Sequence, residues 1–317
     1  MLDIKLNTRI KQAFEFKPTA LPIICDYITN QKIIAHFSKG ETDYIKKLAL
    51  ASREMGIDIY PGLFLTEGRK YREKPRLLKR IDNYHFPSLT NAQIKEKIAC
   101  FVKNKHVFAP EVELTYFSDG CLSAVYNYLG FELFCEILKT RISVIERIVS
   151  ETAGNCMSIA AEFTKYFTEG IYFIGDDIAG SRGLLFSPET LRRLWLPNLK
   201  KIAAILKRKN IKIILHADGD IFDILSELIE IGIDGVHPVE LSGKMQTDKI
   251  RKSYGKNLLL LGGLDLYSKN KKQIITQAMK NLKAAKKMGY FPGSTSGIGE
   301  GLNVDFVFDI YRKIKRL

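Results

Sequence analysis

A chain of 317 residues with 46% hydrophobic content can bury a large core, and its length suits two ordinary domains or one α/β barrel. No apolar run approaches the ~18–20 residues of a membrane span, Met1–Arg9 lacks the apolar core of a secretory signal, and the five scattered cysteines form no CxxC pair. A disulfide framework is therefore not expected and a cytoplasmic location is. The net charge of +14 brings nucleic acid into question. The basic residues, such as Lys200-Lys201 and Lys286-Lys287, are spread over the outer faces of predicted helices, with no aromatic-interleaved patch. Neither a nucleic acid nor a membrane is expected as partner, and nothing specifies an oligomeric state.

In chain order, Thr8–Phe16 reads as a short helix that Pro18 ends, and Leu21–Asp26 as the first strand. A helix follows from Lys39–Thr42 to Met55, with Ile45, Leu48, Ala49 and Ala51 at helical spacing. Gly56–Pro61 is the second strand. Residues 62–90 form a long excursion with a basic run from Arg69 to Arg80, and a loop of that length is usually functional, here as a lid or docking element. Thr90 or Asn91 caps a helix to about Lys103, and Glu111–Phe117 is the third strand.

A helical region from Leu122 to Phe167, broken near Gly130, leads to the fourth strand, Gly170–Asp177, which ends in two acids. Ser187-Pro188-Glu189 is a helix start: Ser as cap, Pro in the first turn, then Glu. The fifth strand opens at Lys212 and runs through Ile213-Ile214-Leu215 into His216-Ala217-Asp218-Gly219-Asp220. Buried parallel strands read as unbroken aliphatic runs. His216 and Asp218 face one side, because side chains repeat every two residues on an extended backbone. Asp220 is placed to cap a helix over Ile221–Ile231. Gly235–Glu240, Leu258–Leu261 before Gly262-Gly263-Leu264-Asp265, and Gly289–Ser294 are the last three strands, and a helix over Val304–Ile314 closes the chain.

Eight strands alternating with helices predict an α/β protein with a parallel sheet, a single (β/α)8 TIM barrel spanning residues 1–317 with an N-terminal helix and a long loop after the second strand. Barrel chemistry sits beyond the strand C-termini, where this sequence has Asp26, Asp176, Asp177, His216, Asp218, His237, Glu240, Asp265 and Ser294. Such a set suits a divalent metal on His216 and Asp218, proton transfer by a carboxylate such as Asp177 among like charges, or binding of a cationic or polyhydroxylated ligand. The bland alternative is an Asp in a βα turn and a His that satisfies backbone groups. There is no P-loop or GxGxxG, which weighs against nucleotide cofactors.

Arg9–Phe14 followed by Leu21-Pro22-Ile23, then Phe86-Pro87, Gly175-Asp176-Asp177 through Ser187–Leu191 to Leu196-Pro197, His216–Asp220, Gly232–Pro238 and Gly262–Asp265 carry a resemblance in their order and spacing. Together they resemble the uroporphyrinogen decarboxylase superfamily over nearly the whole chain, whose fold is a (β/α)8 barrel. Its porphyrinogen decarboxylases hold substrate carboxylates with an Arg-rich motif just after the first strand. Here that place reads Asp26-Tyr27-Ile28-Thr29-Asn30, without Arg, and the family's acid after the second strand has no counterpart in Pro61–Leu65.

The other branch, the cobalamin-dependent methyltransferases, holds zinc with a His-x-Cys after the fifth strand and a Cys after the eighth. Those positions match His216, Asp218 and Ser294, so the His is kept and both thiolates are replaced by harder donors. Glu240, His237 or Asp177 would supply another ligand. The resemblance implies an enzyme that moves a methyl group between a small substrate or thiol and a corrinoid protein. Asp177, His216, Asp218 and Glu240 would be catalytic, and Asp26, Asp176, His237 and Asp265 would bind substrate. The implied metal is zinc on His216, Asp218 and Ser294, and the cobalamin belongs to a separate protein, since this chain has no Asp-x-His-x-x-Gly motif. The alternatives are a lyase acting on a non-porphyrin carboxylate or a tetrapyrrole, and a non-catalytic small-molecule-binding barrel.

Overall fold

A computed structural model describes residues 6–62, 81–241 and 243–317. Ten strands lie among them: β1 (Ile59–Tyr60), β2 (Glu113–Leu114), β3 (Tyr116–Asp119), β4 (Glu169–Gly175), β5 (Ala179–Gly180), β6 (Gly183–Leu184), β7 (Asn210–His216), β8 (Gly235–Val239), β9 (Leu259–Leu264) and β10 (Tyr290–Ser294). Contacts divide the chain into two compact units, one holding residues 81–99 and 117–233, the other residues 6–62, 100–116 and 234–317. Among the described residues no helix is long and apolar enough to cross a membrane.

In the first unit β4 and β7 pair in parallel over their full length, Glu169 opposite Asn210 and Gly175 opposite His216. The expected aliphatic run is the reason: Ile213, Ile214 and Leu215 are fully buried, and Ile171–Ile174 across from them are nearly so. Gly175 has no room for a side chain, because a Cβ there would lie 2.5 Å from the Phe117 ring. The predicted helical stretch resolves into Ser123–Leu129, Phe131–Thr140 and Ile142–Tyr166. Gly130, at φ +85°, makes the anticipated break, and a second falls at Arg141, which the periodicity did not reveal. The 25-residue helix Ile142–Tyr166 buries a face from Val144 to Phe163. Its polar positions Arg147, Glu151 and Asn155 hold the backbone of residues 82–89: Arg147 donates to the Asp82 and Tyr84 carbonyls, Glu151 accepts from Phe86 N, and Asn155 accepts from Leu89 N.

In the second unit β9 lies between β8 and β10, all parallel, and β1 pairs in parallel with β2. The predicted first strand is shorter than its sequence suggested. Pro22 has no N–H to give, and only residues 24–26 join a ladder: Cys25 N donates to Pro292 O, Ile59 N to Ile24 O and Asp26 N to Ile59 O. The stretch thus runs between β10 and β1. Gly293 permits it, since a Cβ there would overlap the Cys25 carbonyl oxygen. A helix over Gln31–Phe37, capped by Asn30 through Lys32 N and Ile33 N, was not expected.

Local signals elsewhere held. Ser187 accepts from Thr190 N and caps a helix beginning at Pro188, and the last helix spans Val304–Ile314. Asp220 does accept from Phe222 N, but the chain then forms a 3-10 turn, Phe222–Ile224, and a helix over Leu225–Glu230 only. Most of the long excursion after β1, residues 63–80 with the basic run Arg69–Arg80, lies outside the described residues.

Candidate functional site

The site is built where β4 and β7 end together in the first unit. Because Gly175 is opposite His216, the residues just beyond each strand come side by side, and Asp176 N donates to the His216 carbonyl at 2.9 Å. The imidazole Nε2 of His216 stands 3.9 Å from a carboxylate oxygen of Asp218 and 4.0 Å from one of Asp177. The period-two argument for His216 and Asp218 is thereby met, and Asp177 joins them. Asp218 N also points at the Asp177 carboxylate, at 3.3 Å. The loop stays tight because Gly219, at φ +92°, packs on the Gly180 backbone, where a Cβ would come within 2.5 Å of the carbonyl oxygen.

The two acids after β4 have opposite fates, as neighbours on an extended backbone should. Asp176 is fully buried and accepts from Leu122 N, Ser123 N at 2.5 Å and the Trp195 indole N–H at 2.6 Å. Burial pushes its pKa up, against the pull of these donors. Asp177 keeps about half of its side chain exposed (49%), whereas His216 keeps 17%. Burial lowers the His216 pKa, opposed by the charges of Asp218 and Asp177, so the imidazole is neutral near pH 7. Burial raises Asp218, and the Asp177 charge adds to the rise while His216 opposes it.

Two aromatic residues that no sequence pattern singled out complete the surroundings. Phe117 meets the His216 ring edge-on at 5.7 Å, and the Tyr126 hydroxyl donates to the Asp177 carbonyl at 2.6 Å. Neither belongs to a motif, and the only advance signal was position, one at the end of the predicted third strand and one in the helical region after it.

The remaining predicted site residues belong to the second unit. Asp26 and Ser294 are bonded to each other and buried. His237 is buried in β8, and Glu240, half-buried just after it, donates its N–H to the Met245 carbonyl. The Asp265 carboxylate caps the turn Leu266–Ser268, accepting from Tyr267 N and Ser268 N.

Ligand atoms of Asp177, His216 and Asp218 all lie within 4.8 Å of one another. Donors ~2.0–2.2 Å from one ion stand ~3.3–3.6 Å apart at tetrahedral angles, so the 3.9 and 4.0 Å separations need to close by a few tenths of an ångström, within reach of a small rotation of the exposed carboxylates. One neutral imidazole and two carboxylates are a borderline-to-hard set, suited to zinc or manganese and leaving coordination positions for water or substrate. The residues fit.

The sequence model of "Uroporphyrinogen decarboxylase (URO-D)" matches residues 23–311. The chain belongs to the uroporphyrinogen decarboxylase family. Among solved structures, a methyltransferase from Methanosarcina mazei superposes with a TM-score of 0.72 at 18% identity, over 98% of this chain and 97% of that one. A Listeria monocytogenes protein assigned as a vitamin-B12-independent methionine synthase superposes with a TM-score of 0.53 at 14% identity, over 94% and 95%. At such identities the likeness establishes the fold, and with the family match it gives the α/β fold of the (β/α)8 TIM-barrel class. No curated protein matches.

Proposed function

We propose that this member of the uroporphyrinogen decarboxylase family is a methyltransferase, moving a methyl group between a small substrate or thiol and a corrinoid carried by a separate protein. The observation that carries the reading is the meeting of His216 with Asp177 and Asp218 at the ends of two adjacent parallel strands, within reach of one ion. The fold shared with the Methanosarcina mazei methyltransferase supports it.

In this reading His216 offers a neutral Nε2, and Asp218 and Asp177 offer carboxylate oxygens to a divalent metal. Bound there, the metal supplies Lewis-acid activation of a thiol or hydroxyl. Burial keeps the imidazole unprotonated, which a ligand nitrogen requires. The proton released by the acceptor passes to water, since Asp177 and Asp218 keep 49% and 65% of their side chains exposed. Phe117 closes one side of the imidazole and restricts its rotation.

The test is methyl transfer from methylcobalamin to a panel of thiols, with the metal-loaded full chain beside His216→Ala. Transfer that depends on His216 supports the reading. No transfer to any thiol, and no interaction with corrinoid proteins encoded alongside, overturns it.

A further inference from the structure

Resting on the metal reading above, we infer that Tyr126 is a positioning residue that aims the Asp177 carboxylate at His216 and Asp218. The helix Ser123–Leu129 is fastened to both acids that follow β4. At its start, the Asp176 carboxylate takes Leu122 N and Ser123 N, and Trp195 holds that carboxylate from the other side. The approach is so close that Gly120 must be glycine: a Cβ there would overlap the Asp176 carboxyl group. One turn along, Tyr126 reaches back and donates to the Asp177 carbonyl.

The consequence is specific to Asp177. A half-exposed carboxylate has free side-chain torsions, and where it points is set first by its backbone. Here the backbone carbonyl is held by the Tyr126 hydroxyl and the carboxylate meets Asp218 N, so the residue is restrained at both ends. The Tyr126 ring cannot drift, since Phe131, Phe134 and Phe186 surround it at centroid distances of 5.6, 6.1 and 6.4 Å. A tyrosine phenol carries its proton at neutral pH, so the hydroxyl is the donor to the Asp177 carbonyl. Tyr126 acts through Asp177 and has no proton to spend on a substrate.

The experiment is cobalt(II) titration of the full chain, following affinity and the visible spectrum of the bound ion. Groups that orient a metal ligand typically contribute 10–100-fold in affinity, and a bond to a backbone carbonyl should lie near the lower end. Tyr126→Phe should therefore keep its melting temperature without metal, bind cobalt(II) about tenfold more weakly, and show a changed spectrum. The same substitution made in Asp177→Asn should add nothing further, because it works through that carboxylate. Wild-type affinity and spectrum in Tyr126→Phe would overturn the inference while leaving the metal reading intact. No cobalt(II) binding by the wild-type chain would remove the metal reading and this inference with it. If Tyr126→Phe does not fold, 3-fluorotyrosine at position 126 alters the hydrogen bond and keeps the ring. A change in cobalt(II) affinity there supports the inference, and an unchanged affinity overturns it.

Discussion

The Asp26 carboxylate holds both the N–H of Ser294, at 2.6 Å, and its hydroxyl, at 2.8 Å. It also accepts from Tyr27 N and the Tyr311 hydroxyl, so the first extended stretch, the end of β10 and the last helix meet on one buried acid. Burial raises its pKa and all four donors oppose the rise. An amide offers one acceptor oxygen and turns an NH2 group toward donors. Asp26→Asn should therefore cost about 3 kcal/mol in urea unfolding, with metal binding at His216 unchanged. A loss under ~0.5 kcal/mol, the range of ordinary surface substitutions, would mean that the network is not a structural tie.

Gly219 joins Asp218 to the turn beyond it at a φ of +92°, against the Gly180 backbone. Alanine brings both left-handed strain and a clash with a carbonyl oxygen that has little freedom to retreat. Gly219→Ala should lose about 2 kcal/mol or more and weaken metal binding, because Asp218 moves with the loop. Equilibrium unfolding and metal titration on one preparation check both, and an unchanged affinity would show that Asp218 is not held by this turn.

The strap formed by residues 82–89 supplies a pH dependence. Burial raises Glu151, but Phe86 N, His85 and Arg147 together outweigh it and hold its carboxyl below the ordinary range. A depressed folded-state pKa contributes stability above the unfolded value, about 4.3, and that contribution is lost as pH falls through the folded value. Glu151→Gln should thus melt lower than wild type at pH 7, and the gap should shrink toward pH 3. A gap that stays constant would contradict the assignment.

Much of the fold is legible in local sequence. Seven of the eight predicted stretches hold strands, the third divided between β2 and β3, and with the Ser187 cap and the last helix they follow from aliphatic runs and capping chemistry, which need no knowledge of distant residues. The two-residue spacing of His216 and Asp218 was enough to expect them on one side, although β7 ends at His216 and the Gly219 turn holds Asp218 in place. The features that escaped depend on partners far along the chain. That Asp176 turns inward and Asp177 outward is decided by Trp195, Leu122 and Ser123. Tyr126 lies in a helical run where an aromatic ring ordinarily signals core packing, and its hydroxyl contact is visible only in three dimensions. The shortened first strand reflects which backbone groups of residues 24–26 reach β10 and β1, again a tertiary matter.

The central claim is a divalent metal held by His216 with Asp177 and Asp218. It is tested most directly by metal analysis of the full chain purified without chelator, beside His216→Ala. The account predicts about one divalent ion per chain in the wild type, and none in the variant at an unchanged fold. An equal metal content in both proteins, or a wild-type chain that takes up no ion from a saturating supply, would contradict it.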